Sequence, residues 1–194
     1  VTNYVYDRQY VILETDASDE VAVRYVHGLN YIARIDGTAT EQLSYYLYNG
    51  HGDVVQTVNE AGVLENQYDY DIFGSPILVI EQYTSSIRYS GEFFDAEVGL
   101  YYLRARYYDP YVGRFISRDT YTGRDDSPLS LNLYTYVLNN PLMFVDPSGH
   151  TAVALRDLAT ATGASVSYDA KTGISTYNLS GVEITFNTKS ASDQ

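Results

Sequence analysis

Gly99-Leu-Tyr-Tyr-Leu-Arg-Ala-Arg-Tyr-Tyr-Asp-Pro-Tyr-Val-Gly-Arg-Phe-Ile-Ser-Arg-Asp119 and, after a short insert, Asn139-Asn-Pro-Leu-Met-Phe-Val-Asp-Pro-Ser-Gly149 decide how this chain is read. Paired tyrosines at 101–102 and 107–108 lead into Asp109-Pro110 and Gly113, a sheet-forming aromatic cluster followed by turn residues. The same cluster recurs upstream. Tyr25, Tyr48, Tyr70, Tyr89 and Tyr108 stand 23, 22, 19 and 19 residues apart, each close to a Gly at 28, 50, 74, 91 and 113. A period of about 20 residues marks stacked supersecondary units, none of which buries its apolar face alone.

Strand–turn–strand patterns lie between the clusters. Tyr10 to Glu14 faces Val21 to Tyr25, and Val54 to Val58 faces Val63 to Tyr68 across Asn59-Glu-Ala-Gly62. Tyr31 to Ile35 ends in Asp36-Gly37, another turn pair. Helical periodicity is absent before residue 150, except over Gly99 to Arg106. The fold class is therefore mainly β, an antiparallel spiral of hairpins, with a small α+β appendage at the C-terminus.

Composition bounds the function. Tyr occurs 22 times beside 6 Phe and no Trp, in a 194-residue chain that is 45% hydrophobic, enough for a core. Tyr suits half-buried sheet surfaces, its ring packed and its hydroxyl reaching a partner. A net charge of −13 disfavours nucleic acid and anionic lipid, and no apolar run is long enough for a membrane-spanning helix. With no Cys, disulfides and thiol chemistry are excluded. The chain starts at Val1 without a visible signal peptide and reads as an excised or processed piece.

On the residues from Gly99 to Gly149 the chain closely resembles the core segment that closes Rhs and YD-repeat proteins, which include bacterial secreted toxins, toxin-complex subunits and wall-associated proteins. The resemblance implies hairpins coiled into a hollow shell, with this segment spiralling inward at one end. About five units precede the closing motif, so the chain reads as the closing end of a shell rather than an enclosure. Residues 1–98 are the YD-repeat hairpins, 99–150 the closing segment and 151–194 a tail module. In the tail, Leu155, Leu158 and Ala159 suit a short helix stopped by Gly163. Ser165 to Tyr168, Ile174 to Leu179 and Gly181 to Phe186 read as strands. That order resembles the copper amine oxidase N-terminal-like stalk module, which implies spacing or adhesion.

The resemblance also implies chemistry. In self-cleaving Rhs cores, an Arg, an Asp some thirteen residues on and the Asp of a closing Asp-Pro-x-Gly form an aspartic-protease-like centre that cuts just past that Gly. The matching residues here are Arg106, Asp119 and Asp146, with the cut expected after His150. Two neighbouring carboxylates share one proton, so one serves as base toward water and the other as acid. A guanidinium would keep one of them charged and steady the oxyanion. The chain departs from the pattern at His150, where cleaving relatives carry Leu. The alternative reading has Arg106 fastening the spiral, with Asp146-Pro-Ser-Gly149 as a turn.

Other groups carry less. His27, His51 and His150 lack metal-ligand spacing, and the acidic stretches 69–71 and 119–126 read as turns. Arg24, Arg88 and Arg106, each next to a Tyr, are candidates for cation–π contacts with a ring from another unit. No cofactor is implied. Further copies of the chain, or the upstream part of its own parent protein, are the expected partners, at the cell surface or outside the cell. Two functions compete with the structural core: a filament subunit growing by strand addition at open edges, and a carrier of a short C-terminal toxin segment.

Overall fold

A computed structural model describes residues 2–37, 41–123, 125, 128–155 and 157, together with the backbone of three strands at 164–169, 174–179 and 182–187. The first eight strands form one antiparallel meander. They are β1 (Asn3–Asp7), β2 (Tyr10–Thr15), β3 (Val21–His27), β4 (Tyr31–Asp36), β5 (Leu43–Tyr48), β6 (Val54–Asn59), β7 (Leu64–Tyr70) and β8 (Pro76–Ile80), each paired only with its neighbours in sequence. Such a sheet needs nothing but local hairpins, which is why its pattern was legible in the chain. The expected hairpins at 10–25 and 54–68 and the strand at 31–35 are β2–β3, β6–β7 and β4.

The turns share one device. Asn49 Oδ1 accepts the backbone N–H groups of His51, Gly52 and Asp53. Asn59 Oδ1 accepts those of Ala61 and Val63, and Asp71 Oδ1 those of Phe73 and Ser75. A short side-chain acceptor at the head of each turn satisfies the N–H groups that the ladder leaves over. The repeated tyrosines tie one unit to another. Tyr48, Tyr70 and Tyr89 donate their hydroxyls to the carbonyls of Tyr31, Val54 and Ile72 at 2.6, 3.0 and 2.8 Å. Each staple reaches back 16 or 17 residues, so the sequence period reports a real spatial repeat.

A second meander closes the first: β9 (Phe93–Asp95), β10 (Leu100–Leu103), β11 (Arg106–Asp109) and β12 (Arg114–Phe115). Gly99 to Arg106 is thus a strand and a hairpin turn, not a helix; the apparent helical spacing comes from alternate burial of Tyr101 and Leu103. Ile87 and Phe93 pack with Val11, Tyr25, Tyr46, Val54 and Tyr68 against one face of the large sheet. Tyr89, Tyr101, Tyr108, Phe115 and Tyr136 form a second cluster within the closing segment. Arginines lie over rings from other strands, as expected for two of the three. Arg88 lies over Tyr68 and Phe94, and Arg106 sits 3.6 Å from the Phe115 centroid. Arg24 instead pairs with Glu41.

β13 (Phe144–Val145) pairs with β14 (Val153–Ala154), and Leu155 N–H donates to the Met143 carbonyl at 3.0 Å. Val153 and Ala154, just ahead of the expected tail helix, find an open edge beside β13; Leu155 and Asp157 are helical, and the rest of that helix lies outside the described residues. The three tail strands appear as β15 (Ala164–Asp169), β16 (Ile174–Leu179) and β17 (Val182–Asn187), in that order in one sheet.

Glu92 makes stability depend on pH. Burial pushes its carboxyl up to about 7, against the pull of Arg104, which it pairs with between β9 and the 104–105 turn. A group raised in the folded state contributes stability that is complete below its unfolded value near 4.5 and is lost as pH rises through about 7. His51 acts with the same sign. Burial lowers its pKa, but the hydrogen bond and charge of Asp53 outweigh this and raise it. The thermal midpoint should therefore be higher at pH 5.5 than at pH 8.5, by the equivalent of about 1–3 kcal/mol. In Glu92→Gln most of that difference should disappear; an unchanged pH slope would assign it elsewhere.

Candidate functional site

Arg106, Asp119, Asp146 and His150, singled out along the chain, come together at one place. Arg106 opens β11 directly after the Arg104–Ala105 turn. Asp119 follows β12 and is pinned by its own N–H donating to the Leu133 carbonyl at 2.9 Å. Asp146 follows β13. The loop between Asp146 and Gly149 lies against the β10–β11 turn, where Ala105 N–H donates to Ser148 O at 3.3 Å and Arg106 Nε donates to the Gly149 carbonyl. Gly149 has φ +74°, and a Cβ there would stand 2.2 Å from the Leu103 carbonyl oxygen. That close approach admits only glycine.

The guanidinium is the hub. Arg106 Nη2 is 2.7 Å from Asp119 Oδ2 and 3.8 Å from Asp146 Oδ2, while Nη1 donates to the Leu133 carbonyl at 3.1 Å. The side chains of Arg106 and Asp146 are buried, that of Asp119 is partly buried, and that of His150 is 39% exposed. His150 Nδ1 lies 3.0 Å from Asp119 Oδ1. Asp146 Oδ1 accepts from Ser148 N, Ser148 Oγ, His150 N and Thr151 N at 3.0 to 3.2 Å. The last of these is the nitrogen of the peptide bond between His150 and Thr151.

Burial raises the Asp119 carboxyl, but the Tyr121 N–H, the His150 hydrogen bond and the Arg106 charge together leave it below its ordinary value. Burial also lowers Arg106, against the pull of both carboxylates. Arg106 contacts both acids through one nitrogen, so its charge eases the repulsion that would otherwise force them to share a proton. A cleft of about 550 Å³ opens over the group, with Tyr121, Leu129, Leu133 and Leu138 among its apolar walls.

Sequence reasoning missed Ser148, the Leu133 carbonyl and the ring of Phe115 beneath the guanidinium. Only Ser148 lay inside a motif, and its residue type alone signals a turn. The remaining histidines stand apart from this site. His27 packs on Tyr10, with ring centroids 3.9 Å apart, and His51 Nδ1 bonds Asp53 Oδ1 at 2.7 Å. Among the described residues no group of three or more His, Cys, Asp or Glu is arranged to hold a metal ion. No helix among them is long and apolar enough to cross a membrane.

An eight-stranded hairpin meander capped by an aromatic closing sheet is the architecture of an Rhs-type structural core, and comparison with known proteins agrees. The chain is similar to the tRNA(Glu)-specific nuclease WapA of Bacillus subtilis subsp. natto, 41% identical over 155 residues that cover 77% of this chain and 7% of that protein. Toxin subunit YenC2 of Yersinia entomophaga is 46% identical over 81 residues, covering 42% of this chain and 8% of that one. The Tc holotoxin pore of Photorhabdus luminescens superposes with a TM-score of 0.62 at 27% identity, covering 78% of this chain and 8% of that one. No protein-family model matches the chain. YenC2 and the Photorhabdus holotoxin are Tc-toxin and Rhs-type proteins, and the chain spans less than a tenth of the length of each of the three relatives.

Proposed function

We propose that this chain is the segment that closes one end of an extracellular Rhs-type shell, and that it cuts itself once between His150 and Thr151. The observation that carries the cut is the contact of Asp146 Oδ1 with Thr151 N at 3.0 Å, made while Asp146 and Asp119 share Arg106. Asp119, held low by its donors, is the ionised member and takes a proton from water. The water oxygen adds to the His150 carbonyl carbon. The proton taken up by Asp119 is delivered to Thr151 N as the C–N bond breaks, while Asp146 Oδ1, which accepts the Thr151 N–H, holds the scissile peptide in place. The products are a His150 carboxylate and a Thr151 amine.

The test is mass spectrometry of freshly made protein held from pH 4 to pH 8. Two fragments meeting at His150–Thr151 are expected, with Asp119→Asn blocking the cut while circular dichroism stays unchanged. A product that remains at 21.8 kDa throughout rejects self-cleavage. His150→Leu tests the one departure from the cleaving pattern, and a cut seen only in that variant would assign the block to the imidazole.

The open edge of β1 supports the shell. All five of its residues are exposed, including Tyr4, Val5 and Tyr6, which suits a preceding repeat of a parent chain adding there. The same edge would serve the filament reading, with another copy in place of the parent. Residues 151–194 are proposed as a tail module whose first strand, β14, is stitched to the closing segment.

A further inference from the structure

The face of the large sheet turned away from the closing segment can be read from its register, because directly opposed residues share a face. Val26, Ala33, Tyr45, Val58 and Leu64 oppose one another in an unbroken apolar row across β3 to β7. Two residues along, Val5, Leu13, Arg24, Ile35 and Leu43 form a second row on the same face. A third runs through Leu47, Gln56, Gln67 and Ile80. Val26, Tyr45, Leu47 and Leu64 are each 39 to 42% exposed.

Charge sets this face apart. The chain carries 25 Asp and Glu, yet none is paired in these three rows. Their one cation, Arg24, is neutralised by Glu41. Glu14 and Asp36 fall on the other side: Glu14 opposes the buried Val23 and bonds the Tyr25 hydroxyl, and Asp36 also opposes Val23. Asp69 is on the row face, opposite Leu78 and one step beyond the third row. The result is a largely apolar face with one carboxylate, Asp69, at its margin, on a molecule of net charge −13. Exposed apolar surface of this continuity marks an interaction site.

We propose that this face docks against the same face of a second copy, sheet on sheet about a two-fold axis. Two molecules of charge −13 repel across most orientations, and this face brings a single marginal carboxylate, Asp69, to the contact. Isologous packing presents each apolar row to an identical one, at the roughly 30° angle natural to stacked twisted sheets. The rows cross four or five strands each, and five strands at ~4.8 Å spacing with about five residues at ~3.4 Å give roughly 400 Å² in plan. Side-chain relief raises that toward the ~800 Å² that each partner of a stable interface contributes. This pairing differs from edge addition at β1 or β8 and does not depend on the self-cleavage reading.

Sedimentation of the whole chain separates the alternatives. A dimer is expected at micromolar concentration, tightening as salt is raised because screening removes the residual repulsion. Tyr45→Glu and Leu47→Glu, at exposed positions that leave the core intact, should each weaken it by about tenfold or more, since every substitution enters the two-fold interface twice. Val79→Pro, on the free edge strand β8, should leave it unchanged. A wild-type monomer at high salt overturns the proposal, and so does an oligomer that survives both face variants or dissociates in the edge variant. Far-ultraviolet circular dichroism confirms that each variant is folded; should Tyr45→Glu fail to fold, Leu47→Glu carries the test.

Discussion

Replacing Arg106 with Met lowers the stability of this protein by about 3–5 kcal/mol, the cost of leaving buried charge without its partner. Arg106 is 5% exposed and stands between two carboxylates, a carbonyl from the 128–135 segment and the carbonyl of Gly149. Its removal strands the Asp119 and Asp146 charges and takes a cation from the face of Phe115. The hydrophobic volume of Met fills much of the space, so the loss is electrostatic rather than a cavity. Denaturant unfolding at neutral pH measures it. Adding Asp119→Asn to Arg106→Met should recover part of the stability, because it deletes one of the stranded charges. A loss below about 1 kcal/mol would show that water solvates these carboxylates well enough to dispense with the guanidinium.

Gly149→Ala should cost about 2–5 kcal/mol. Part is backbone strain at φ +74°, and the larger part is steric, because the new Cβ would lie 2.2 Å from Leu103 O and 3.1 Å from Arg106 N. Both of those atoms belong to backbone that the β10–β11 pairing holds in place, so the loop must move instead. Moving it breaks the Arg106–Gly149 bond and displaces Thr151 from Asp146. Gly62→Ala is the control: its φ of +76° is nearly the same, but nothing lies within 4 Å of the added methyl. That variant should lose only about 1–2 kcal/mol. Thermal unfolding of the pair separates sterics from strain, and equal losses would mean that the 146–149 loop is free to relax.

The hairpins were legible because antiparallel neighbours in sequence need only alternation and a turn residue. Tyr10–Glu14 with Val21–Tyr25, and Val54–Val58 with Val63–Tyr68, became paired strands on those grounds. β8 was not recognised: Pro76 to Ile80 is apolar on both faces, a run that carries no alternation to read. Gly99 to Arg106 was mistaken for helix-like spacing because a four-residue strand is too short to separate a period of two from one of 3.6. β14 was not recognised because its partner β13 is two residues long and has no pattern of its own.

For the site, the chain by itself determined which residues stood out, since Arg106, Asp119 and Asp146 sit in motifs with fixed spacing. It also determined the repeat, because Tyr spacing follows from hydroxyls that must each find a carbonyl about one unit back. Tertiary structure alone decided that one guanidinium nitrogen touches both carboxylates, that His150 turns back onto Asp119, and that Thr151 N rests on Asp146. It alone decided which face of the large sheet is poor in carboxylates. Apart from the Thr151–Asp146 contact, these are distances between segments up to 40 residues apart, set by how the closing sheet packs onto the spiral, and no local propensity encodes them.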